Sequence, residues 1–456
     1  MMSIAEIAAN YINKITEAAE LNENGLKGLS ESIKPILEET ALKTLSVMFA
    51  ELDDGIYREA KRQDEWTVIR KDDEKRIETI FGTLEFKRRY YRNRKTGETA
   101  HLLDGWLGIG AWQKIGDDVR ESLVNEAVDL SYQKSGERAA PAVVSKTSVG
   151  RYISQTPIAD GLVSDGKKRK CPVVYVEADE DHVALQNGRT AQVRLVYVHE
   201  GSKSDTARAR LSNVRYLSWP ESGKTDDLWE KVSTYIEEQY DTDVLETVWL
   251  GGDGAAWIAA GAEWLPKCRV ILDGYHINKA FMQLTRHGSQ CRGWGWQVLR
   301  SGTYDQMEGL CSMLCERAGT DKQVKEKRKL AQYLLGHWNE ILARREKNAP
   351  GCSAEGHVSH VLSARLSTRP MGWGRQNMDK MAGLRVMRAN GQPIRYEKKE
   401  TAACSLYVPE KDSVMQVSRA VRKNVADCYT DLPIVRLGKT TYLYQAIRGL
   451  AFGLSS

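Results

Sequence analysis

The residues with the clearest capacity for chemistry lie in one acidic stretch near the middle of the chain. An apolar run rich in β-branched residues begins at Val173 and ends in the acidic residues Glu177, Asp179, Glu180 and Asp181. Such a run is typical of a buried strand, and carboxylates this close repel one another unless a positive charge lies among them. A divalent metal ion is the simplest such charge. We therefore expect Asp179 to bind a metal ion in a site suited to phosphodiester chemistry.

The elements that would position Asp179 follow one another in a definite order. Periodicity predicts strands at 173–183, 192–199, 213–217, 247–250 and 269–272, and helices at 226–240 and 255–263. Three strands, a helix, a strand, a helix and a strand are the order of a ribonuclease-H-like α/β fold. In that fold the first and fourth strands are neighbours. Asp253 follows the fourth strand, so the fold would bring Asp179 and Asp253 to one edge of the sheet.

Glycines surround Asp253 on both sides. The segment Gly251-Gly252-Asp253-Gly254 has no Lys-Ser/Thr after it, so it does not match a phosphate-binding loop. The small residues would instead leave room beside the carboxylate for a metal ion and a DNA strand. A tight turn with a solvated Asp253 is the alternative.

Two-metal phosphoryl transfer needs a third carboxylate, commonly from a helix beside the sheet. The best candidate is Glu355, because Ser353 could cap its helix and because Glu355 would share a face with Val358 and Leu362. That face would hold Glu355 near the sheet. A glutamate that merely favours the helix dipole is the alternative. The preceding residues, 277–350, have helical spacing and are predicted to be an insertion, which offers the less suited Glu308, Glu316 and Glu340.

Two histidine motifs add further candidates. Asp273 and His276 directly follow the fifth strand and could orient a base or the DNA strand, although a structural histidine fits equally well. His357 and His360 have a spacing that can bind zinc. No third zinc ligand stands near them at a recognisable spacing, so contact with phosphate is the preferred interpretation of His357.

The N-terminal third is predicted to bind DNA. Residues 1–60 have helical spacing, and residues 61–115 are predicted to form a small basic β element with a hairpin turn at 81–84. Short helices at 116–156 suit a helix-turn-helix whose last helix would place Lys146 and Arg151 in the major groove. A plain helical linker domain is the alternative.

In the β element, Leu84, Phe86 and Tyr90 are expected on one face, opposite basic residues. The remaining predicted parts are a linker at 157–171, the first part of the ribonuclease-H-like core at 172–276, and the Glu355 helix with a basic C-terminal region at 351–456.

Composition sets the limits of these predictions. A chain of 456 residues is too long for one ordinary core, so several domains are expected. The net charge of +5 is modest, but basic runs at 87–89, 167–170 and 325–329 would suit an anionic polymer. The eight cysteines show no CxxC spacing, which predicts reduced thiols rather than a disulfide framework. With neither a signal peptide nor an apolar span of membrane length, we expect a cytoplasmic, nucleoid-associated protein without membrane contact.

Several of these motifs together resemble one family. The sequence resembles bacterial insertion-sequence transposases of the ISLre group, long catalogued as an uncharacterised protein family and similar to Mutator-like transposases. The resemblance spans nearly the whole chain. It is carried by the segments 176–186, 252–258, 272–276 and 354–360, and by Arg369-Pro370-Met371-Gly372-Trp373.

The resemblance implies a DDE transposase whose metal-binding triad falls on Asp179, Asp253 and Glu355. Asp273 and His276 would match the Cys/Asp-x-x-His signature of the wider group. Asp181 is the alternative first ligand, because it faces the same side of an extended strand. Asp179 is preferred because similar transposases carry a β-branched residue four positions after the Asp, as Val183 does here.

The reaction class implies cofactors and partners. Two Mg²⁺ ions, replaceable by Mn²⁺, would serve cleavage at the element ends and strand transfer to target DNA. Arg365, Arg369 and Arg375 would hold phosphates, and joining two ends implies at least a homodimer on double-stranded DNA. A metal-dependent, structure-specific nuclease and a non-catalytic DNA-binding protein with the same core are the alternatives.

Overall fold

The structure, a computed structural model, describes residues 4–203, 210–286, 288–346, 349–369 and 371–396. The basic C-terminal region predicted beyond residue 396 lies outside the described residues, as does Pro370. The described chain falls into two units, one of residues 4–152 with Tyr396 and one of residues 153–395. Within these described ranges, no helix combines the length and the apolar character that crossing a membrane requires.

The first unit combines helices with an antiparallel sheet of three strands in the order β1-β2-β3. Its strands are β1 Trp66–Thr79, β2 Gly82–Asn93 and β3 Thr99–Ala100. Its helices are α1 Ile4–Glu20, α2 Gly25–Arg58, α3 Ala60–Glu65, α4 Leu102–Trp106, α5 Asp117–Ala127, α6 Tyr132–Arg138 and α7 Lys146–Gln155. The helical N-terminal region, the β element and the three short helices at 116–156 are therefore all present.

Two details of the β element differ from the prediction. Thr79 pairs with Gly82, so the hairpin turn lies at Ile80 and Phe81 rather than at 81–84. The β1–β2 register is irregular between Val68 and Asp73, and past this irregularity Tyr91 rather than Tyr90 enters the core. An irregularity of this kind shifts the alternation of side chains by one residue, which a strict period of two does not anticipate.

The second unit is built on a five-stranded mixed sheet with the order β10-β9-β4-β5-β8. Its strands are β4 Val173–Ala184, β5 Thr190–His199, β8 Arg215–Pro220, β9 Thr247–Gly252 and β10 Cys268–Leu272, with a separate two-stranded ribbon of β6 Ser202–Lys203 and β7 Arg210–Leu211. β4 pairs with β9 in parallel, and β9 pairs with β10 in parallel. β4, β5 and β8 pair antiparallel. The expected adjacency of the first and fourth strands is thus confirmed.

The second unit also contains helices, both beside the sheet and in the insertion. They are α8 Thr225–Gln239, α9 Ala256–Ala259 with a 3₁₀ turn Ala260–Glu263, α10 Gly274–Leu284, a 3₁₀ turn Ser289–Cys291, α11 Arg292–Ser301, α12 Tyr304–Glu316, α13 Asp321–Gly336, α14 Trp338–Ala343, α15 Ala354–Val358, a π-helical turn Ser359–Ser363, α16 Ala364–Leu366 and α17 Arg375–Ala389.

Alternation along β4 separates a core face from a polar face. Val174, Val176 and Ala178 are fully buried in a core shared with α8 and β9. Successive strand residues point to opposite faces, so Glu177, Asp179 and Asp181 lie together on the other face. This arrangement explains how one short stretch can belong to the core on one face and carry a row of acidic side chains on the other.

The predicted helical insertion has a core of its own. Phe281, Leu310, Leu314 and Leu334 are among its most buried members. The insertion also begins and ends beside the same strand, because the Arg344 guanidinium donates a hydrogen bond of 3.1 Å to the Leu272 carbonyl at the end of β10.

Candidate functional site

Asp179 and Asp253 lie level with each other at the point where the pairing of β4 with β9 ends. Glu177 on β4 is in register with Gly251 on β9, and each chain reaches its aspartate two residues later. Both side chains are half-buried. Burial raises the pKa of Asp179 to about 6, and the neighbouring charge of Asp253 adds to the increase. The pair therefore concentrates negative charge at one point of the sheet edge.

The glycines beside Asp253 do not leave open space, contrary to the expectation. A Cβ on Gly252 would lie 2.7 Å from Ile258 and 3.0 Å from the Ala178 carbonyl oxygen. A Cβ on Gly254, whose φ is +88°, would lie 2.7 Å from the His337 ring. The protein's own side chains occupy this volume, so these glycines permit close packing behind Asp253 rather than access for a ligand.

Asp273 and His276 lie next to this pair. The Asp273 carboxylate caps α10 by accepting from the Tyr275 amide at 3.1 Å, and its other oxygen lies 3.0 Å from His276 Nδ1. The hydrogen bond to Asp273 raises the pKa of His276, and the charges of Asp253 and Asp179 act in the same direction, against burial. Three carboxylates thus favour the protonated form of His276.

Glu355 is placed differently from the prediction. Its side chain is exposed, whereas Ala354, Val358 and Leu362 form the buried stripe of this helix at a spacing of four residues. Glu355 follows Ala354 by one residue, or about 100° around a helix, so it points away from that stripe. Among the described residues, no three His, Cys, Asp or Glu side chains lie close enough together to hold a metal ion. Asp179, Asp253 and Glu355 thus do not form a ready three-ligand cluster.

Ser353 does not cap the Glu355 helix with its side chain. Its hydroxyl lies 3.1 Å from Glu177 Oε2, and its amide donates to the same oxygen at 2.7 Å. Glu177 is only 2% exposed. The Tyr197 hydroxyl also donates to it, as does the Cys352 thiol at 3.6 Å.

His199 completes the surroundings of Glu177. Its Nε2 lies 3.3 Å from Glu177 Oε1, while its Nδ1 accepts from the Gly201 amide, so Nε2 carries the proton and donates. Burial raises the pKa of Glu177, but the bonds from His199, Tyr197 and Ser353 outweigh it and hold the pKa below its ordinary value. Glu177 is therefore a buried carboxylate kept ionised by its donors.

Asp181 differs from Asp179 in its partners. It is 7% exposed and accepts from the Ser367 hydroxyl at 2.8 Å. Burial raises its pKa, and bonds from Ser367 and Ser363 oppose that increase. Asp179 instead accepts from the adjacent Glu180 amide and lies in the field of Asp253 and His276. Of the two candidate first ligands, Asp179 is the one beside Asp253.

A π-helical turn interrupts the helix that carries Glu355. Such turns leave carbonyls without their usual partners and are frequent at functional sites. Here Arg385 of α17 donates to the Val361 carbonyl at 2.7 Å and to the His360 carbonyl at 2.5 Å. This contact could not be predicted from the sequence, because neither the π turn nor its arginine partner has a local motif.

His357 lies in an aromatic cluster away from the aspartate pair. Its Nδ1 is 2.8 Å from the Tyr216 hydroxyl, and its ring stacks on Tyr197 at a centroid distance of 4.5 Å. Burial lowers its pKa. The phosphate contact of His357 therefore stays a prediction, in which Nδ1 is already bonded to Tyr216 and the ring is held between strand side chains.

The predicted basic contacts fall into two groups. Arg365 is 6% exposed and lies over the Trp373 ring at 4.8 Å, so its assignment as a DNA contact is corrected to one of internal packing. Arg375 forms an ion pair with Glu221 at 3.0 Å. Arg369 is exposed, and so are Lys146 and Arg151 on α7 of the first unit.

The basic runs also contribute internal contacts. Arg88 forms a buried ion pair with Asp104, and Arg89 pairs with Asp53 at 2.5 Å. Lys327 is 4% exposed and donates to the Leu314 carbonyl at 2.9 Å. Residues of this kind stabilise the fold and cannot be counted as a surface for an anionic polymer.

Comparisons with known proteins place the chain in a family. Residues 21–401 match the model of an uncharacterised protein family, UPF0236. A UPF0236 protein of Caldanaerobacter subterraneus subsp. tengcongensis is 33% identical over 98% of this chain and 97% of its own length, and a second from the same organism is 32% identical over the same shares. The name of the first joins eleven gene designations of that genome, so the family has many copies there.

A more distant relative comes from another organism. A UPF0236 protein from the region 3′ of vanSb in Streptococcus gallolyticus is 22% identical over 80% of this chain and 83% of its own length. With a family model matched over most of its length and relatives similar from end to end, the chain belongs to the uncharacterised protein family UPF0236.

Proposed function

We propose that this protein is a DDE transposase with a ribonuclease-H-like core. The observation that carries the proposal is the register of β4 and β9, two adjacent parallel strands in a sheet of order β10-β9-β4-β5-β8, which brings Asp179 within β4 level with Asp253 just past the end of β9. Counted along the chain, this is the order 5-4-1-2-3 expected of that fold, with its first three strands antiparallel.

The residues fit a divalent cation in part. Two half-buried carboxylates, one with its pKa raised to about 6, form an oxygen donor set whose repulsion a cation would relieve. Asp179 and Asp253 would hold the ion. Glu355, exposed on the helix that packs along β4, is the proposed third ligand. When bound, Mg²⁺ or Mn²⁺ would activate the attacking oxygen and stabilise the leaving oxygen of a phosphodiester.

The other residues of the site have roles that follow from their contacts. The hydrogen bond to Asp273 raises the pKa of His276, and in its protonated form His276 would contact a phosphate oxygen beside the aspartates. Tyr333 donates to the Asp253 carbonyl at 2.7 Å and so fixes the backbone that carries this carboxylate.

Double-stranded DNA is the proposed partner. Lys146, Arg151, Arg369 and Arg375 are exposed and are the proposed basic contacts to it. Since two element ends must be joined in one event, we propose at least a dimer on DNA. The many family copies in one genome support a mobile element, because an element that inserts itself accumulates copies.

A second candidate is a DNA-binding protein without catalytic activity. It is favoured by one observation, namely that the described residues contain no group of three metal-binding side chains. The two candidates differ in whether removal of a carboxylate abolishes a reaction or leaves the behaviour of the protein on DNA unchanged.

Strand transfer by the purified full chain tests the proposal. Labelled DNA carrying the gene with its flanking sequence is incubated with target DNA and Mg²⁺, and joined products are measured. Asp179→Asn, Asp253→Asn and Glu355→Gln are expected to abolish joining. Glu308→Gln, an exposed glutamate on α12 of the insertion, is the matched control and should leave it unchanged. Joining by the Asp179→Asn variant, or none by the wild type, would overturn the proposal.

A further inference from the structure

We propose that Glu177 and Asp181, which flank Asp179 on the same face of β4, are positioning residues that hold the Glu355 segment, residues 354–366, across the aspartate pair. The inference rests on the proposed function for its catalytic meaning. Its structural content stands on contacts alone: Glu177 binds the residues that precede the segment, and Asp181 binds a residue that follows it.

The first contact lies at the start of the segment. Ser353 gives Glu177 both its amide and its hydroxyl, at 2.7 and 3.1 Å, and Cys352 adds its thiol at 3.6 Å. The start of the segment also lies against Gly251 of β9, where a Cβ would make ordinary van der Waals contacts. A Cβ on Gly251 would lie 3.4 Å from Cys352 Sγ and 3.7 Å from Glu177 Cγ. Glu355 is the second residue after Ser353, so this contact sets where the helix of Glu355 begins.

The second contact lies at the end of the segment. The Ser367 hydroxyl donates to Asp181 at 2.8 Å, one residue beyond α16. Between the two contacts, Arg385 binds the carbonyls of His360 and Val361 in the π turn. The segment is therefore held before, within and after its helix. Glu355 itself has no such contact with the sheet, and its position depends on these three.

The contacts of Glu177 suit holding rather than metal binding. Both Glu177 and Asp181 are more than 90% buried, whereas Asp179 between them is half-buried. Glu177 Oε2 accepts from Tyr197, Cys352 and Ser353, and Oε1 lies 3.3 Å from His199 Nε2. Carboxylates in such supporting positions typically change metal affinity or activity by about 10- to 100-fold when removed.

Amide hydrogen exchange of the free full chain is the first test. Glu177→Ala should accelerate exchange across residues 354–366 by about tenfold or more, since a bond to a charged group is lost there. Glu180→Gln is the matched control. Glu180 lies on the same strand but is bonded by Trp257 at 2.5 Å and Gln192 at 3.1 Å, both on other elements. Unchanged exchange of the segment in Glu177→Ala, or equal acceleration in Glu180→Gln, would overturn the proposal.

Milder variants cover the case in which Glu177→Ala does not fold. Ser353→Ala and Ser367→Ala each remove one hydroxyl. Ser353→Ala should accelerate exchange only at the start of the segment, and Ser367→Ala only at its end. Glu177→Gln keeps an acceptor for the Ser353 amide and should restore most of the protection. The contact between Glu177 and Ser353 would be contradicted if Glu177→Gln failed to restore the protection and Ser353→Ala exchanged at the wild-type rate.

The second test measures the binding of Mn²⁺ alone to the free protein by electron spin resonance. Glu177→Ala and Asp181→Ala should weaken Mn²⁺ binding by about 10- to 100-fold, and strand transfer should need correspondingly more Mg²⁺ for half its maximal rate. If hydrogen exchange of the segment accelerates in Glu177→Ala but the wild-type protein joins no DNA, the proposed function has failed while the contacts stand. If the wild type joins DNA and the Mg²⁺ requirement of both variants is unchanged, the positioning role has failed.

Discussion

Asp179→Asn is expected to stabilise the protein at neutral pH. Burial and the charge of Asp253 raise the pKa of Asp179 from its ordinary 3.8 to about 6. The folded state therefore binds a proton more tightly than the unfolded state. Stability from this group is fully present below pH 3.8 and is lost as the pH rises through about 6.

The magnitude follows from the size of the shift. A change of about two pKa units corresponds to about 3 kcal/mol, at about 1.4 kcal/mol per unit. Above pH 7 the ionised Asp179 costs up to this amount, and near pH 4 it costs almost nothing. Asparagine cannot ionise, so Asp179→Asn should raise the free energy of unfolding by up to about 3 kcal/mol at pH 7.5 and by little at pH 4.

The assay must report on the sheet alone, since a chain of two units need not unfold in one step. Exchange of the slowest amides in β4 and β9, at pH values from 4 to 7.5 in metal-free buffer, gives the local free energy of opening. Glu180→Gln is the control and should not stabilise. The free energy of opening of Asp179→Asn should exceed that of the wild type by an amount that grows between pH 4 and 7. An excess that does not grow would refute the reasoning, as would an Asp179→Asn variant less stable than the wild type at every pH.

Three further predictions follow from the same geometry. Millimolar Mg²⁺ at pH 7.5 should raise the melting temperature of the wild type but not of Asp179→Asn or Asp253→Asn, because only the charged pair would bind the ion; equal shifts in all three would argue against that site. Gly252→Ala should lower the free energy of unfolding by about 1–3 kcal/mol, since its Cβ would lie 2.7 Å from Ile258. Gly309→Ala, mid-helix with nothing within 4 Å, should instead raise it by about 0.5–1 kcal/mol, and urea titration separates the two outcomes. Arg369→Ala should weaken DNA binding and flatten its salt dependence by about one unit, whereas Arg365→Ala should lower thermal stability because it leaves Trp373 uncovered; salt titrations by fluorescence anisotropy and melting curves distinguish them.

The sheet and the aspartate pair could be predicted because their signals are local. The five strands of the main sheet lie in apolar, β-branched or aromatic segments, whereas the short strands β6 and β7 were not predicted, and the acidic residues in β4 and after β9 are visible in the sequence. Strand order then follows from the order of the elements. For the first metal ligand, the sequence leaves two candidates, Asp179 and Asp181.

The surroundings of the pair could not be predicted, because they depend on partners far apart in the chain. Ser353 looks like a helix cap, but its hydroxyl instead bonds Glu177, which is 176 residues away. Arg365 looks like a phosphate contact, but Trp373 covers it. In both cases a local preference of modest size was overridden by a buried group that needed a partner.

The exposure of Glu355 has the same origin. Spacings of three, four and seven residues all describe one face of a helix, and the sequence alone does not say which of them the core selects. Here Ala354 rather than Glu355 begins the buried stripe that continues through Val358. A shift of one residue is enough to move a side chain from the sheet to the surface.

The closed base of the insertion bears on how this family can change. Because Arg344 contacts Leu272, the chain leaves β10 and returns to it at nearly the same point. Between 277 and 343, the parts of the insertion other than residues 333–337, which contact Asp253 and Gly254, can therefore lengthen, shorten or be exchanged without moving Ser353 or Glu355. The opposite holds for β4, where one residue gained or lost between Glu177 and Asp181 would turn Asp179 into the core. Homologues should vary freely in the length of the insertion and not at all in the length of this stretch of strand.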